Sequence, residues 1–342
     1  MRYDAFFVYI CAVMRIAVVI LNWNTKDYLR RFVPGVLASL GSDDALYVVD
    51  SGSTDGSLQM LEEEFPQVRR VPLAENKGFT GGYNATLSDI DARYYLLLNS
   101  DIDVPQGWLE PLAEWMESHP ECGICGPKLH ALDWCGQDWQ RTTRFEYAGA
   151  AGGLLDFFGY PYCRGRVLSR VSDDFGQFDR PAQAFWVTGA ALLIRSGIWR
   201  ELGGFDARFF AHMEEIDLCW RAQSLGYQVW VVPQSVVYHI GGGTLPSNSP
   251  FKLRLNYRNS LWMLKKNLPG AVGRFRAAVR LAIRMALDWC AALVYVLTGK
   301  LDYARAVRDA HREVSRSEKV EFKGKCKVPP GGGLLIIKYL QK

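Results

Sequence analysis

Apolar and polar positions fall into repeating blocks along the first third of the chain: an uninterrupted apolar run, a polar loop, then helical spacing, from Met14 to about Pro127. Ile16 to Leu21, Ala45 to Val49 and Tyr94 to Leu98 are the clearest runs. None alternates in polarity, so each predicts a strand buried on both faces, with helices above and below a parallel sheet. That is the doubly wound α/β pattern. Polar residues cluster just past each run: Asn22-Trp23-Asn24, Asp50-Ser51-Gly52-Ser53 and Asn99-Ser100-Asp101. Open sheets of this kind bind ligands at that edge.

The rhythm then breaks. Between about Leu129 and Asp179, Gly, Tyr, Phe and Arg dominate, which predicts a long irregular stretch folded over a site. Order returns with a strand at Ala190 to Ile194, a helix near Glu214 to Leu225 and a strand at Gln228 to Val232. Ala271 to Thr298 reads as a further helix, with Arg276, Arg280 and Arg284 on one side and an apolar run from Met285 to Leu297 broken by Asp288. Its uncharged part is too short to span a bilayer. Basic residues continue through Lys300, Arg305, Arg308, Arg312, Arg316 and Lys319. They suit an anionic membrane surface as well as a solvated face on a packed helix.

Composition narrows the class. With 342 residues, 49% hydrophobic and 22% charged, the chain has material for a large core and is neither disordered nor multispanning. A net charge of +4 exerts no general pull toward nucleic acid, so no nucleic-acid partner is expected. Scattered cysteines fit reduced thiols in a cytoplasm, and Cys122 with Cys125 lacks the second pair of a zinc ribbon. Residues 1–13 read as a dispensable extension before a natural start at Met14. The expected organisation is then 14–128 as a nucleotide-binding half, 129–245 as a catalytic half and 246–342 as a basic helical region.

Five clusters carry candidate chemistry. In Val49 to Ser57, Asp50 can accept a hydrogen bond from a pyrimidine imide and Asp55 can orient the next helix, although Asx turns are common at helix starts. In Glu75 to Asn84, Asn76, Lys77 and Gly78 open a glycine-rich loop in which the backbone can approach anionic oxygens. It lacks the ending of a P-loop, and the first strand lacks a dinucleotide fingerprint. Asp101 and Asp103, one residue apart behind a buried strand, can converge on a divalent cation such as Mn²⁺ or Mg²⁺ and on a ribose. Glu214 and Asp217 share a helix face beside Glu215, where crowded carboxylates raise one another's pKa as a general base requires, unless they only complement the helix dipole. His239 precedes Gly241-Gly242-Gly243-Thr244 and can complete a mixed carboxylate and imidazole shell.

Taken in order, the Asn-Trp-Asn turn, DSGSTDGS, NKGFTGGYN, NSDID, GGFD with EEIDLCWR, and VYHIGGG resemble family 2 glycosyltransferases, particularly the rhamnosyltransferase-like branch. The resemblance covers about Ile16 to Thr244. It implies a GT-A type nucleotide-diphospho-sugar transferase fold: a mostly parallel central sheet flanked by helices, here with a C-terminal helical extension. It also implies a nucleotide-sugar donor carrying UDP or dTDP and a single displacement that inverts the anomeric carbon. On this pattern Asn22, Asn24 and Asp50 lie on the nucleobase side, Asp101 near the ribose, and Asp103 with His239 at the metal. Lys77, Arg164 or Arg166 assist the diphosphate, and Trp186, just before Thr188-Gly189, stacks on an acceptor sugar or fills the core. Related proteins read Glu-Asp where this one has Glu214-Glu215, so Glu215 aligns with the base, and Glu214 and Asp217 are rivals. The Gln-x-x-Arg-Trp motif of processive synthases is absent, which favours single-sugar addition to a saccharide or lipid-linked saccharide at the inner face of a bacterial membrane. A sugar-phosphate nucleotidyltransferase or a degenerate nucleotide-sugar-binding protein is the alternative.

Overall fold

The continuous apolar runs do form the centre of the molecule in the computed structural model, which describes residues 13–146, 149–167, 170–241, 249–318 and 320–331. In the first part β1 (Met14–Asn22), α1 (Lys26–Ala38), β2 (Asp44–Ser51), α2 (Ser57–Glu64), β3 (Arg69–Leu73), α3 (Gly78–Asn84) and β4 (Ala92–Asn99) follow one another. The four strands lie parallel in the order β3-β2-β1-β4. Successive residues of one strand enter opposite cores: Ala17, Val19, Tyr95 and Leu97 pack on one face, and Ile16, Val18, Tyr94 and Leu96 on the other. This period of two between fully covered faces is why the runs show no polar alternation. Truncating a residue such as Leu96, wholly buried, costs about 2–5 kcal/mol.

The sheet continues through β5 (Ile102–Asp103), β6 (Cys122–Trp134), β7 (Trp139–Phe145), β12 (Ala182–Gln183), β13 (Ala191–Arg195) and β14 (Gln228–His239). Strand β13 runs antiparallel between β4 and β6, and β14 is parallel to β6. The stretch expected to be irregular carries short strands within it. The end of β6 and β7 open it, and β8 (Gly153–Leu155), β9 (Pro161–Cys163), β10 (Arg166–Val167) and β11 (Arg170–Val171) make a second, small antiparallel sheet. Short strands separated by glycines lack a readable period. The expected boundary at 128/129 falls inside β6, so both halves share one sheet.

Helices α4 (Glu110–Ser118), α5 (Ser196–Leu202) and α6 (Glu214–Ser224) flank the sheet, and α7 (Pro250–Val272), α8 (Arg274–Leu297) and α9 (Leu301–Arg316) form the C-terminal region. The helix expected from Ala271 begins after Gly273, whose φ of +87° ends α7. No helix among the described residues is long and apolar enough to cross a membrane. Cys122 and Cys125 are buried thiols, and among the described residues no three His, Cys, Asp or Glu side chains gather into a metal cage. The extension, residues 1–12, and the glycines at 242 and 243 with Thr244 lie outside the described residues.

Candidate active site

Strands β1 and β2 end side by side, with Asn22 registered against Asp50. The Asn22 amide donates to Asp50 Oδ2 at 2.6 Å and to Ser53 Oγ at 3.1 Å, while Asp50 Oδ1 accepts from the Ser53 N–H at 2.9 Å. Asp50 is buried, and these bonds fix the loop. Exposed Asn24, held at φ +53°, accepts from the Thr54 N–H at 2.8 Å and reaches Ser53 Oγ through its own N–H. Asp55 does what its position predicted: it accepts from the main chain of Lys26 and from Ser57, and these bonds outweigh burial and hold it below the usual carboxylate range.

The glycine-rich loop serves the protein more than a ligand. Gly78 has φ +70°, and a Cβ there would lie 2.5 Å from the Phe210 ring and 2.7 Å from its carbonyl. The Phe79 N–H donates to that carbonyl at 2.9 Å, and the Thr80 hydroxyl donates to the Phe209 carbonyl. The close approach expected for anionic oxygens is therefore occupied by residues 209 and 210. Asn76 accepts from the Gly78 N–H at 2.8 Å, and Lys77 is exposed beside it.

The paired aspartates separate. His239 ends β14 with its Nε2 3.2 Å from Asp101 Oδ1 and its Nδ1 3.5 Å from Glu146 Oε1. Burial alone would lower this imidazole, but Asp101 and Glu146 hold it well above its usual value, and His239 in turn overcomes burial to lower Asp101. Asp103 faces elsewhere: Arg141 grips both its oxygens, at 2.6 and 3.1 Å, and lies over the Tyr238 ring. In the structure His239 lies against Asp101 and not Asp103, because Asp103 sits across from Tyr238 in the ladder.

Asp101 and His239 nonetheless fit a divalent cation. Two ligands adjacent on an ion at about 2.1 Å stand about 3 Å apart, near the observed 3.2 Å. Glu146 Oε1, 3.5 Å from the buried Nδ1, faces the other side of the ring and leaves Nε2 toward Asp101. A carboxylate and an imidazole suit Mn²⁺ or Mg²⁺ whose remaining positions are filled by phosphate oxygens or water. Glu146, at the end of β7, is the functional candidate that sequence reasoning missed. Its signal was only a lone acid among Phe145 and Gly149-Ala150-Ala151.

The carboxylates of α6 also separate. His212 and Met213, both at φ +72°, turn the chain sharply into the helix. Glu214 points inward, buried and within electrostatic reach of Tyr83, and burial followed by Glu215 pushes it well above the carboxylate range. Glu215 stays partly open, its Cβ 3.5 Å from where a Cβ on Gly189 would lie, and burial raises it to about 7. Oε2 of each lacks a hydrogen-bond partner. Asp217 does not share their environment. Arg221 and Lys266 bind its Oδ2 at 2.7 and 2.9 Å and Asn267 its Oδ1 at 2.8 Å, so it is a fully buried, neutralised anchor and no rival base.

Burial raises Cys163 to about 12, and both Glu146 and Glu215 add to that rise. Trp186 fills the core: its ring covers Gly153, its indole donates to the Leu154 carbonyl at 3.1 Å, and it offers no platform to a sugar. Arg164 lies over the Phe178 ring.

A mostly parallel sheet with an antiparallel strand inserted beside β4, and polar loops at its carboxyl edge, is a GT-A type transferase fold. Two solved structures match it: GalNAc-T7 with UDP, GalNAc and Mn²⁺ (TM-score 0.58, 16% identity, covering 74% of this chain and 48% of that one), and S. aureus TarS 1-349 in complex with UDP-GlcNAc (TM-score 0.55, 14% identity, 88% and 82%). Residues 17–176 match the family model Glycosyl transferase family 2. The chain is 26% identical over 235 residues, 65% of its length and 75% of the relative's, to the N-acetylglucosaminyl-diphospho-decaprenol L-rhamnosyltransferase of Mycobacterium tuberculosis. The chain is similar to glycosyltransferase family 2 over residues 17–176, and over 235 residues to a rhamnosyltransferase.

Proposed function

We propose that the chain moves a sugar, rhamnose-like or a hexose, from a UDP- or dTDP-linked donor to a hydroxyl of a saccharide or lipid-linked saccharide in bacterial cell-surface polysaccharide synthesis, by a single displacement that inverts the anomeric carbon. The observation that carries the reading is the Glu215 carboxyl. Burial at the start of α6 raises it to about 7 and leaves its Oε2 without a hydrogen-bond partner. A carboxylate with that pKa takes the proton of an attacking hydroxyl efficiently near neutrality.

The remaining residues position and neutralise. The tie between Asn22, Asp50 and Ser53 shapes the loop on which Asn24 and Asp55 bound the nucleoside. Asn76 and Gly78 seat Lys77 at the opening of α3, where its exposed ammonium faces solvent beside the donor side of the sheet. Asp101 and His239 would hold Mn²⁺ or Mg²⁺, and Asp103, held by Arg141 in the structure, would be a further carboxylate for the ion. When bound, the ion supplies positive charge against the departing diphosphate.

Incubating the protein with UDP- and dTDP-sugars and Mn²⁺, and following release of the nucleoside diphosphate, tests the reading. Slow donor hydrolysis that stops on chelation is expected. Donor binding with no release under any condition indicates a binding protein, and pyrophosphate release from a nucleoside triphosphate plus a sugar phosphate indicates a nucleotidyltransferase.

A further inference from the structure

Helix α8 is inside out. Its inward stripe carries an ion pair, Arg284 Nε to Asp288 Oδ1 at 2.9 Å, joined by the Tyr160 hydroxyl at 2.9 Å and the Ser260 hydroxyl at 3.1 Å. Arg280, read from the sequence as part of a basic face, is folded over the Phe157 ring at 3.7 Å. The opposite half of the helix is apolar and in solvent. Twelve exposed positions from Ala278 to Leu297, including Val279, Ile283, Leu287, Trp289, Leu293 and Leu297, contain no charge. At 1.5 Å per residue the stripe from Phe275 to Leu297 is roughly 33 Å long. A contiguous apolar face of that size marks an interaction surface.

We propose that this face lies in the surface of an anionic lipid bilayer, parallel to the membrane plane. Arg284 and Asp288 in mid-helix exclude a spanning arrangement, in agreement with the length criterion. Charge complementarity selects the occupant. The helix opens with exposed Arg274 and Arg276 and is followed by exposed Lys300, and residues 274–316 hold nine basic against four acidic side chains. A long apolar stripe containing a tryptophan and ending in cations is the pattern of an interfacial helix on acidic lipid. The docking deepens the proposed reaction by bringing the enzyme to a lipid-linked acceptor. It reaches the site through α7, which packs on α8 through Ser260 and on the turn before Glu214 through Asn259.

Flotation of the full chain with vesicles of phosphatidylethanolamine and phosphatidylglycerol, against vesicles of phosphatidylcholine, tests it without donor or acceptor, so its outcome is independent of whether sugar transfer occurs. The wild type is expected to float with the anionic vesicles. Leu293→Glu/Leu297→Glu, at positions 57% and 76% exposed, is expected to lower the bound fraction at least about tenfold with an unchanged melting temperature. The proposal is overturned if the wild type stays off the vesicles or if the variant floats equally. It is also overturned if the double substitution instead converts a dimer to a monomer in light scattering, or if flotation appears only after residues 332–342 are deleted; these would make a second copy or the chain's own end the occupant.

Discussion

The side-chain amide of Asn259, on α7, donates to the main-chain carbonyl of His212 at 2.8 Å and to that of Ala211 at the same distance. These carbonyls belong to the turn in which His212 and Met213 take left-handed backbone angles, which L-residues adopt at a cost of about 1–2 kcal/mol each. Asn259 therefore holds Glu215 in place from outside the catalytic sheet. Asn259→Leu leaves two partly buried acceptors unpaired and is expected to cost about 1–3 kcal/mol of stability. The turnover rate should fall more than donor affinity, measured by calorimetry, and Asn259→Gln should not restore it, because the longer amide cannot reach both carbonyls.

The raised carboxyls of Glu214 and Glu215 set a pH dependence of stability. Both are protonated more readily in the folded chain than in the unfolded one, where a glutamate titrates near 4.3. Their contribution is fully present below that pH and is lost as pH rises through the folded value, about 7 for Glu215. Glu215→Gln removes this loss. Its melting temperature should exceed the wild type's by a few degrees at pH 8 and match it at pH 5; a lower value at both would place the charge in a stabilising contact.

On the proposed reading, Arg141, which grips Asp103 in the structure, competes with a bound cation for it. Arg141→Ala is expected to tighten Mn²⁺ binding severalfold by titration calorimetry in the presence of UDP, whereas Asp101→Asn and His239→Ala should weaken it by about 10–100-fold. Equal weakening by all three would show that Asp103 does not contribute to the ion's site.

Gly78→Ala separates packing from ligand contact. The added methyl meets the Phe210 ring and carbonyl at a positive φ, so a loss of at least about 2 kcal/mol is expected. Donor affinity of the folded fraction should change little. A normal melting curve with lost donor binding would return the loop to the role first read from its sequence.

How far the sequence carried these conclusions depended on how local each signal was. Ile16 to Leu21 and Tyr94 to Leu98 could be placed because burial on both faces leaves an unbroken apolar run, and the polar loops behind them marked the site's edge. The role of Asp217 could not. Three residues' spacing put it on the face of Glu214, but Lys266 and Asn267, some fifty residues away on α7, decide that it is neutralised. Glu146 was hidden for the same reason, since only the arrival of His239 from β14 brings it beside the imidazole. The basic row on α8 misled because periodicity reports which residues share a side and not which side faces in. Buried Arg284 is paired with Asp288, one turn on.

Turnover by Glu215→Gln tests the central claim most directly. The wild type's rate of sugar transfer or donor hydrolysis should rise with pH to a plateau above about 7, following ionisation of Glu215. The variant, with donor affinity and Mn²⁺ affinity unchanged, should be slower by about 10²–10⁴-fold and lose that pH step. A variant that transfers sugar at near the wild-type rate with the same pH profile would contradict the assignment of the base, and with it the mechanism built around it.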